Sequence, residues 1–158
     1  HIPLSQVNKK IVKKKIVKKI ITINSFYKKK INKKPTIAVL GLNPHNFSSA
    51  KKSEEKRIII PAIKKIKKMK INVVGPISPD TGFIFNKNYN PDVIIGMYHD
   101  QVLSSFKTIF KFNAINITLG LPFIRISPDH GIGKNITGKN IASPSSLIEA
   151  IKFFNIVK

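Results

Sequence analysis

The sequence predicts an α/β fold built on a mostly parallel sheet. Short β-branched apolar runs, such as Thr36-Ile37-Ala38-Val39-Leu40 and Val93-Ile94-Ile95-Gly96-Met97, read as strands buried on both faces. Between them lie stretches whose apolar residues recur three and four apart, as on one face of a helix. The strands end abruptly in polar clusters, and open α/β sheets place their ligands just past the carboxyl ends of strands.

The chain opens extended, with Pro3 holding Ile2 out of the helical region. Ser5 is a candidate N-cap. From Leu4 through Val7, Ile11, Val12, Ile16, Val17, Ile20 and Ile21 the spacing predicts one helical stripe. Its opposite face carries Lys9, Lys10, Lys13, Lys14, Lys15, Lys18 and Lys19, and no acidic residue occurs before Glu54. Such a face fits a membrane surface or a calmodulin-like partner, but an ordinary solvated helix face is the preferred reading. After Lys33-Lys34-Pro35 comes the strand of residues 36–40, delivering Gly41-Leu42-Asn43-Pro44-His45. Ser53 can cap the next helix, and Glu54-Glu55 suit its first turn. Pro61 inside that helix should kink or divide it. Ile71 to Val74 predicts a strand, followed by a turn-rich loop over residues 75–82.

The strand of residues 93–97 delivers Met97-Tyr98-His99-Asp100-Gln101. There His99 is placed for metal or acid–base work, or it merely caps the next turn. A short helix is expected over residues 102–107, then strands over 113–119 and 123–126. Ser127-Pro128-Asp129-His130-Gly131 sets another His beside an Asp in a turn. Ser145 or Ser146 should cap a last helix whose core face is Leu147, Ile148, Ile151, Phe154 and Ile156.

At 158 residues and 42% hydrophobic content, the chain can bury a core of its own. Its formal net charge of +22 invites a nucleic-acid reading. Against it, almost all of the 29 basic residues are Lys, in a chain crowded with Ile and Asn, as A/T-rich codons alone produce. Arg, the better reader of bases and phosphates, occurs only as Arg57 and Arg125. No nucleic-acid partner is expected. Without cysteine there is neither a disulfide nor a thiolate metal site. No apolar run approaches the ~20 residues of a membrane span, and no signal peptide is evident, so a cytoplasmic location and no membrane partner are expected. The first residue is His1 rather than Met, so residues upstream are expected too.

His45, His99 and His130 each stand in a polar cluster after a predicted strand, and His1 stands beside a proline turn. Ligands gathered from strand ends suit a divalent cation, although no local spacing such as His-x-x-x-His supports it.

The segments His1-Ile2-Pro3-Leu4, Gly41-Leu42-Asn43-Pro44-His45, Met97-Tyr98-His99-Asp100-Gln101, Asn116-Ile117-Thr118-Leu119-Gly120-Leu121-Pro122-Phe123-Ile124-Arg125 and Asp129-His130-Gly131, in that order, resemble the 4-hydroxythreonine-4-phosphate dehydrogenase family of pyridoxal phosphate biosynthesis. The likeness runs along essentially the whole chain and is to the C-terminal half of such an enzyme.

The resemblance implies the C-terminal portion of a two-domain fold like that of isocitrate and isopropylmalate dehydrogenases. Residues 1–97 would be a portion of the second domain, which carries the metal and the dimer contact. Residues 98–158 would return to the first, NAD-binding domain. It implies a homodimer with a shared active site and a divalent metal (Zn, Mg or Co) on His1, His45 and His99. It implies a phosphorylated substrate held by Lys107, Asn116 and Arg125, and NAD or NADP held by His130, Gly131 and Asn140. The implied reaction is oxidation and decarboxylation of 4-phosphooxy-L-threonine to 3-amino-2-oxopropyl phosphate in pyridoxine 5'-phosphate biosynthesis. Asp100 would then orient His99 or shuttle a proton as a catalytic residue, although a plain turn role is open to it.

The sequence departs from the family pattern in places. Asn46-Phe47-Ser48-Ser49 stands where small, Gly-rich residues are usual, and Val102-Leu103-Ser104 where Gly-Leu-Pro is usual. The family's N-terminal half, with a further His-Thr pair, has no counterpart here. The alternatives are a basic non-enzymatic module working through the Lys face of residues 9–19, or an inactive truncated relic.

Overall fold

The computed structural model describes residues 2–44 and 53–157. The chain divides into two compact units, His1–Ser105 and Phe106–Lys158.

In the first unit a single 3-10 turn, Leu4–Gln6, leads into helix α1 (Val7–Lys10) and then α2 (Lys13–Phe26), which continues as a π-helical turn, Tyr27–Ile31. The predicted single helix is therefore broken. Ile11 and Val12 are extended, and Val7, Ile11, Ile16, Val17 and Ile20 still reach the core while Leu4 and Val12 are exposed. β-branched residues give up side-chain freedom in a helix, so a break at Ile11-Val12 costs little. Ser5 caps nothing: it lies inside the 3-10 turn, and no side chain caps that turn's start. The Lys face of α1 and α2 is exposed, as a solvated face requires.

Strand β1 (Ile37–Leu40) is buried at all four positions. It is the middle strand of a parallel sheet of order β2-β1-β3, with β2 at Val73–Ile77 and β3 at Val93–Ile95. Ile37 stands opposite Val73 on one side and Val93 on the other. Strand β2 begins two residues later than the sequence predicts and runs through Gly75-Pro76. Gly75 has φ +128°, and a Cβ there would collide with the Val39 carbonyl oxygen, so no other residue fits. Pro61 does divide its helix. A π-helical turn, Glu55–Ile59, precedes α3 (Ile60–Lys68), and the proline sits in the first turn of α3, where its missing N–H costs no bond. Ile59, Ala62, Ile63 and Ile66 join Ile16, Val17, Ile20, Ile37, Val39 and Val73 in one core cluster. Each fully buried Ile contributes roughly 1.5–3 kcal/mol.

Helix α4 (His99–Phe110) starts three residues earlier and ends three residues later than predicted. The division between units falls inside it. In the second unit, β4 (Ile115–Thr118) pairs with β5 (Arg125–Pro128) antiparallel, in a two-stranded sheet of its own beside the parallel one the sequence predicts. The loop joining β4 to β5 is short enough for a hairpin, and a parallel pair would need a crossover of about a dozen residues or more. Helix α5 (Ser145–Val157) packs on β4 and β5. Its expected core face is wrong. Ser146, Ala150 and Val157 are buried, whereas Leu147 is 51% and Ile151 57% exposed, and Ile148, Phe154 and Ile156 are exposed too. The helix is apolar on more than one side, so periodicity could not choose the side that meets the hairpin. Small Ser and Ala side chains let the backbone approach closely.

The amino ends of β1 and β3 are joined through Asp92. Its backbone N–H donates to the Thr36 carbonyl at 2.9 Å, its carboxylate accepts from the Thr36 N–H at 2.9 Å, and it is paired with Lys33. Partial burial pushes the Asp92 carboxyl up. The bonds from Lys33 and Thr36, with the Lys33 charge, outweigh that and hold it below the ordinary carboxylate range. The bond from Lys33 to Asp92 pushes the ammonium up in turn. Among the described residues no helix is long and apolar enough to cross a membrane.

Replacing Asp92 by Ala is expected to lower the unfolding free energy by about 1–2 kcal/mol at pH 7, read from urea melts. A carboxyl held below its unfolded value of about 3.9 stabilises at neutral pH and loses that effect as pH falls through the folded value. The gap between parent and variant should therefore close on acidification below about pH 4.

Candidate functional site

The carboxyl ends of β1 and β3 lie side by side, because both strands run parallel in the sheet. After β1 the chain turns through Gly41–Pro44. Gly41 N–H donates to Ile77 O at 2.8 Å, and the N–H groups of Leu42 and Asn43 donate to Glu55 Oε1 at 2.8 and 3.1 Å. Glu55 is fully buried, and among the described residues its Oε2 has no hydrogen-bond partner. After β3, Gly96 and Met97 lead into α4. Gly96 is required by close approach: a Cβ there would lie 2.5 Å from Val102 Cγ1 and 3.3 Å from Gln101 Oε1.

His99 and Asp100 occupy the first turn of α4, where a carboxylate also suits the helix dipole. His99 Nδ1 lies 2.7 Å from Asp100 Oδ1. A metal-ligating imidazole commonly gives one ring nitrogen to the metal and the other to a carboxylate, which fixes the ring. The pair makes that second contact. It stands on a cleft of about 500 Å³ lined also by Ile2, Lys10, Ile11, Lys15 and Ile95. His1 and His45 lie outside the described residues, and among those described no group of three His, Cys, Asp or Glu side chains could hold a metal.

In the second unit, Lys107 is committed to Asp129. Its ammonium donates to the Asp129 carbonyl at 2.7 Å and lies 3.1 Å from the carboxylate. Asn116 faces Ser127 and Thr118 faces Arg125 across the hairpin, so Asn116 and Arg125 share one face as diagonal neighbours. Both are exposed, and Arg125 Nη1 donates to Thr118 Oγ1 at 2.9 Å. A forked donor and an amide side by side on one face can grip an oxyanion. His130 and Gly131 are exposed in the loop after β5, with His130 Nδ1 3.1 Å from the Gly131 carbonyl. Asn140 is exposed and left-handed, φ 53°.

Sequence reasoning missed the residues that hold these turns. By sequence alone, Glu55 has only a helix-dipole role and Gln101 no role at all. Ser146 looked like a cap. Instead, its buried hydroxyl donates to the Ala114 carbonyl and accepts the Asp129 N–H at 3.0 Å. The hydroxyl at the start of α5 is that of Ser143, which accepts the Ser145 N–H at 3.4 Å.

A family model described as Pyridoxal phosphate biosynthetic protein PdxA matches residues 1–154. The 4-hydroxythreonine-4-phosphate dehydrogenase of Sulfurihydrogenibium sp. is 48% identical over all of this chain and 49% of its own length. That of Aquifex aeolicus is 45% identical over 96% of this chain and 47% of its own. The crystal structure of 4-hydroxythreonine-4-phosphate dehydrogenase from Klebsiella pneumoniae superposes with a TM-score of 0.82 at 32% identity, covering 99% of this chain and 48% of that one. The chain thus spans about half the length of the curated relatives it matches.

Ser146→Ala is expected to leave Asp129 N–H and Ala114 C=O unpaired. This should cost about 1–3 kcal/mol in urea melts and speed hydrogen exchange at the Asp129 amide.

Proposed function

The chain belongs to the PdxA family of pyridoxal phosphate biosynthetic proteins, and we propose that it serves, within such an enzyme, the NAD-dependent oxidation and decarboxylation of 4-phosphooxy-L-threonine to 3-amino-2-oxopropyl phosphate. The observation that carries this is the His99–Asp100 pair at the carboxyl edge of a parallel sheet, the position where α/β enzymes bind their ligands. A basic binding module working through the Lys face has no comparable feature.

In this reading residues 1–97 contribute to the metal and dimer domain, and residues 98–158 to the NAD domain. His99 contributes one imidazole to a divalent cation, with His1 and His45 as the other ligands. Asp100 fixes the His99 ring through Nδ1. A bound cation would supply Lewis-acid polarisation of the substrate's alcohol oxygen, and a bound nicotinamide would supply the hydride acceptor. Arg125 binds phosphate oxygens with its fork, and Asn116 adds an amide donor on the same face. Lys107 binds the phosphate as a point charge, exchanging its bond to Asp129 for one to the anion. His130, Gly131 and Asn140 contribute to the nucleotide contact. The working enzyme is a homodimer whose site is shared.

The test supplies the complete enzyme with 4-phosphooxy-L-threonine, NAD and Zn²⁺ and follows NADH absorbance. The parent is expected to turn over, and His99→Ala to lose bound metal and fall about 100-fold or more in kcat. Arg125→Lys is expected to raise KM for the phosphorylated substrate by about tenfold, because a point charge replaces a fork. No NADH from intact parent protein would refute the reading.

A further inference from the structure

The structure points to Gln101 as a positioning residue for His99, an assignment that rests on the reading of His99 as a metal ligand. Gln101 is buried in the first turn of α4, and each end of its amide is used. Oε1 accepts the Met97 N–H at 2.7 Å. Nε2 donates to the Gly41 carbonyl at 2.8 Å, with the Leu42 carbonyl at 3.4 Å. One side chain therefore ties the turn after β3, two residues before His99, to the turn after β1.

No smaller or purely apolar side chain reproduces this. The site needs an acceptor toward Met97 and a donor toward Gly41, which a carboxamide supplies and a carboxylate does not. The absent Cβ of Gly96 leaves room for it, since a Cβ there would press on Gln101 Oε1 at 3.3 Å. The arrangement has the form of an outer-shell support: it fixes the backbone from which the ligand projects, while Asp100 fixes the ring. Loss of such supports typically weakens metal affinity by about 10–100-fold.

The test titrates the metal-free complete enzyme with Zn²⁺ alone and then measures steady-state kinetics. Gln101→Met keeps the length and removes all three bonds. It is expected to weaken the Zn²⁺ Kd by about tenfold or more and to lower kcat, while KM for NAD stays within about twofold. Should that variant not fold, Gln101→Glu carries the test. It keeps the acceptor for Met97 and sets an oxygen against the Gly41 and Leu42 carbonyls, and is expected to weaken Zn²⁺ by about threefold or more. Folded variants that bind Zn²⁺ as the parent does overturn the role of Gln101, with His99 still a ligand. If His99→Ala also binds Zn²⁺ as the parent does, the metal reading falls, and the assignment falls with it.

Discussion

Strand β1 is buried at every position, so the backbone polar groups where it ends must be paired inside the protein. They are. Gly41 N–H goes to Ile77, Leu42 and Asn43 N–H go to Glu55, and the Gly41 and Leu42 carbonyls meet Gln101. Leaving one such group unpaired would cost about 1–3 kcal/mol. Satisfying them brings two polar side chains, from the turn before α3 and from α4, into an otherwise apolar layer. The candidate site is then a by-product of that requirement: the elements recruited to pair the end of β1 also carry His99 and Asp100 to the strand edge.

The opposite end of the sheet is held differently. There Asp92 bonds Thr36 through both its backbone and its carboxylate and is paired with the exposed Lys33. The ion pair itself adds little, because the Lys33 side chain is half in water. What matters is the charged acceptor offered to a backbone N–H at the first turn into β1. One end of the sheet is thus fixed by a partly buried carboxylate, which acid can titrate, and the other by a neutral amide with a fully buried carboxylate.

The strands were legible because a run such as Ile37–Leu40 is too short and too β-branched to be much else. The strand-end placement of His99 followed from the same rule. The break at Ile11-Val12 was not legible, since both residues keep the helical spacing whether or not the helix is continuous. Nor was the buried face of α5. Leu147, Ile151 and Phe154 are the better hydrophobes, yet Ser146 and Ala150 face the hairpin. Close backbone approach and a buried hydroxyl bridging Ala114 to Asp129 outweigh apolar area there, and spacing carries no record of either. Arg125 and Asn116 were named from motifs alone. Their common face became visible only from the antiparallel register.

Acidic residues are scarce here, seven against 29 Lys and Arg, and their placement separates structural use from drift. Among the described residues Glu55, Asp92, Asp100, Asp129 and Glu149 accept a hydrogen bond or ion pair, all but Glu149 outside any helical Lys ladder. Asp100 goes to the candidate ligand and Asp129 to the candidate phosphate lysine. The Lys residues of α1 and α2 are instead spread over an exposed face, as codon bias would scatter them. Carboxylates that hold named partners are better guides to the site than the net charge. Asp129 also limits Lys107: an incoming phosphate must outcompete a carboxylate 3.1 Å away. On the proposed reading, a dianion can do so where a monoanion, matched in charge by Asp129 itself, has little advantage, so the Asp129 pairing would favour a phosphate at Lys107 over a simple carboxylate.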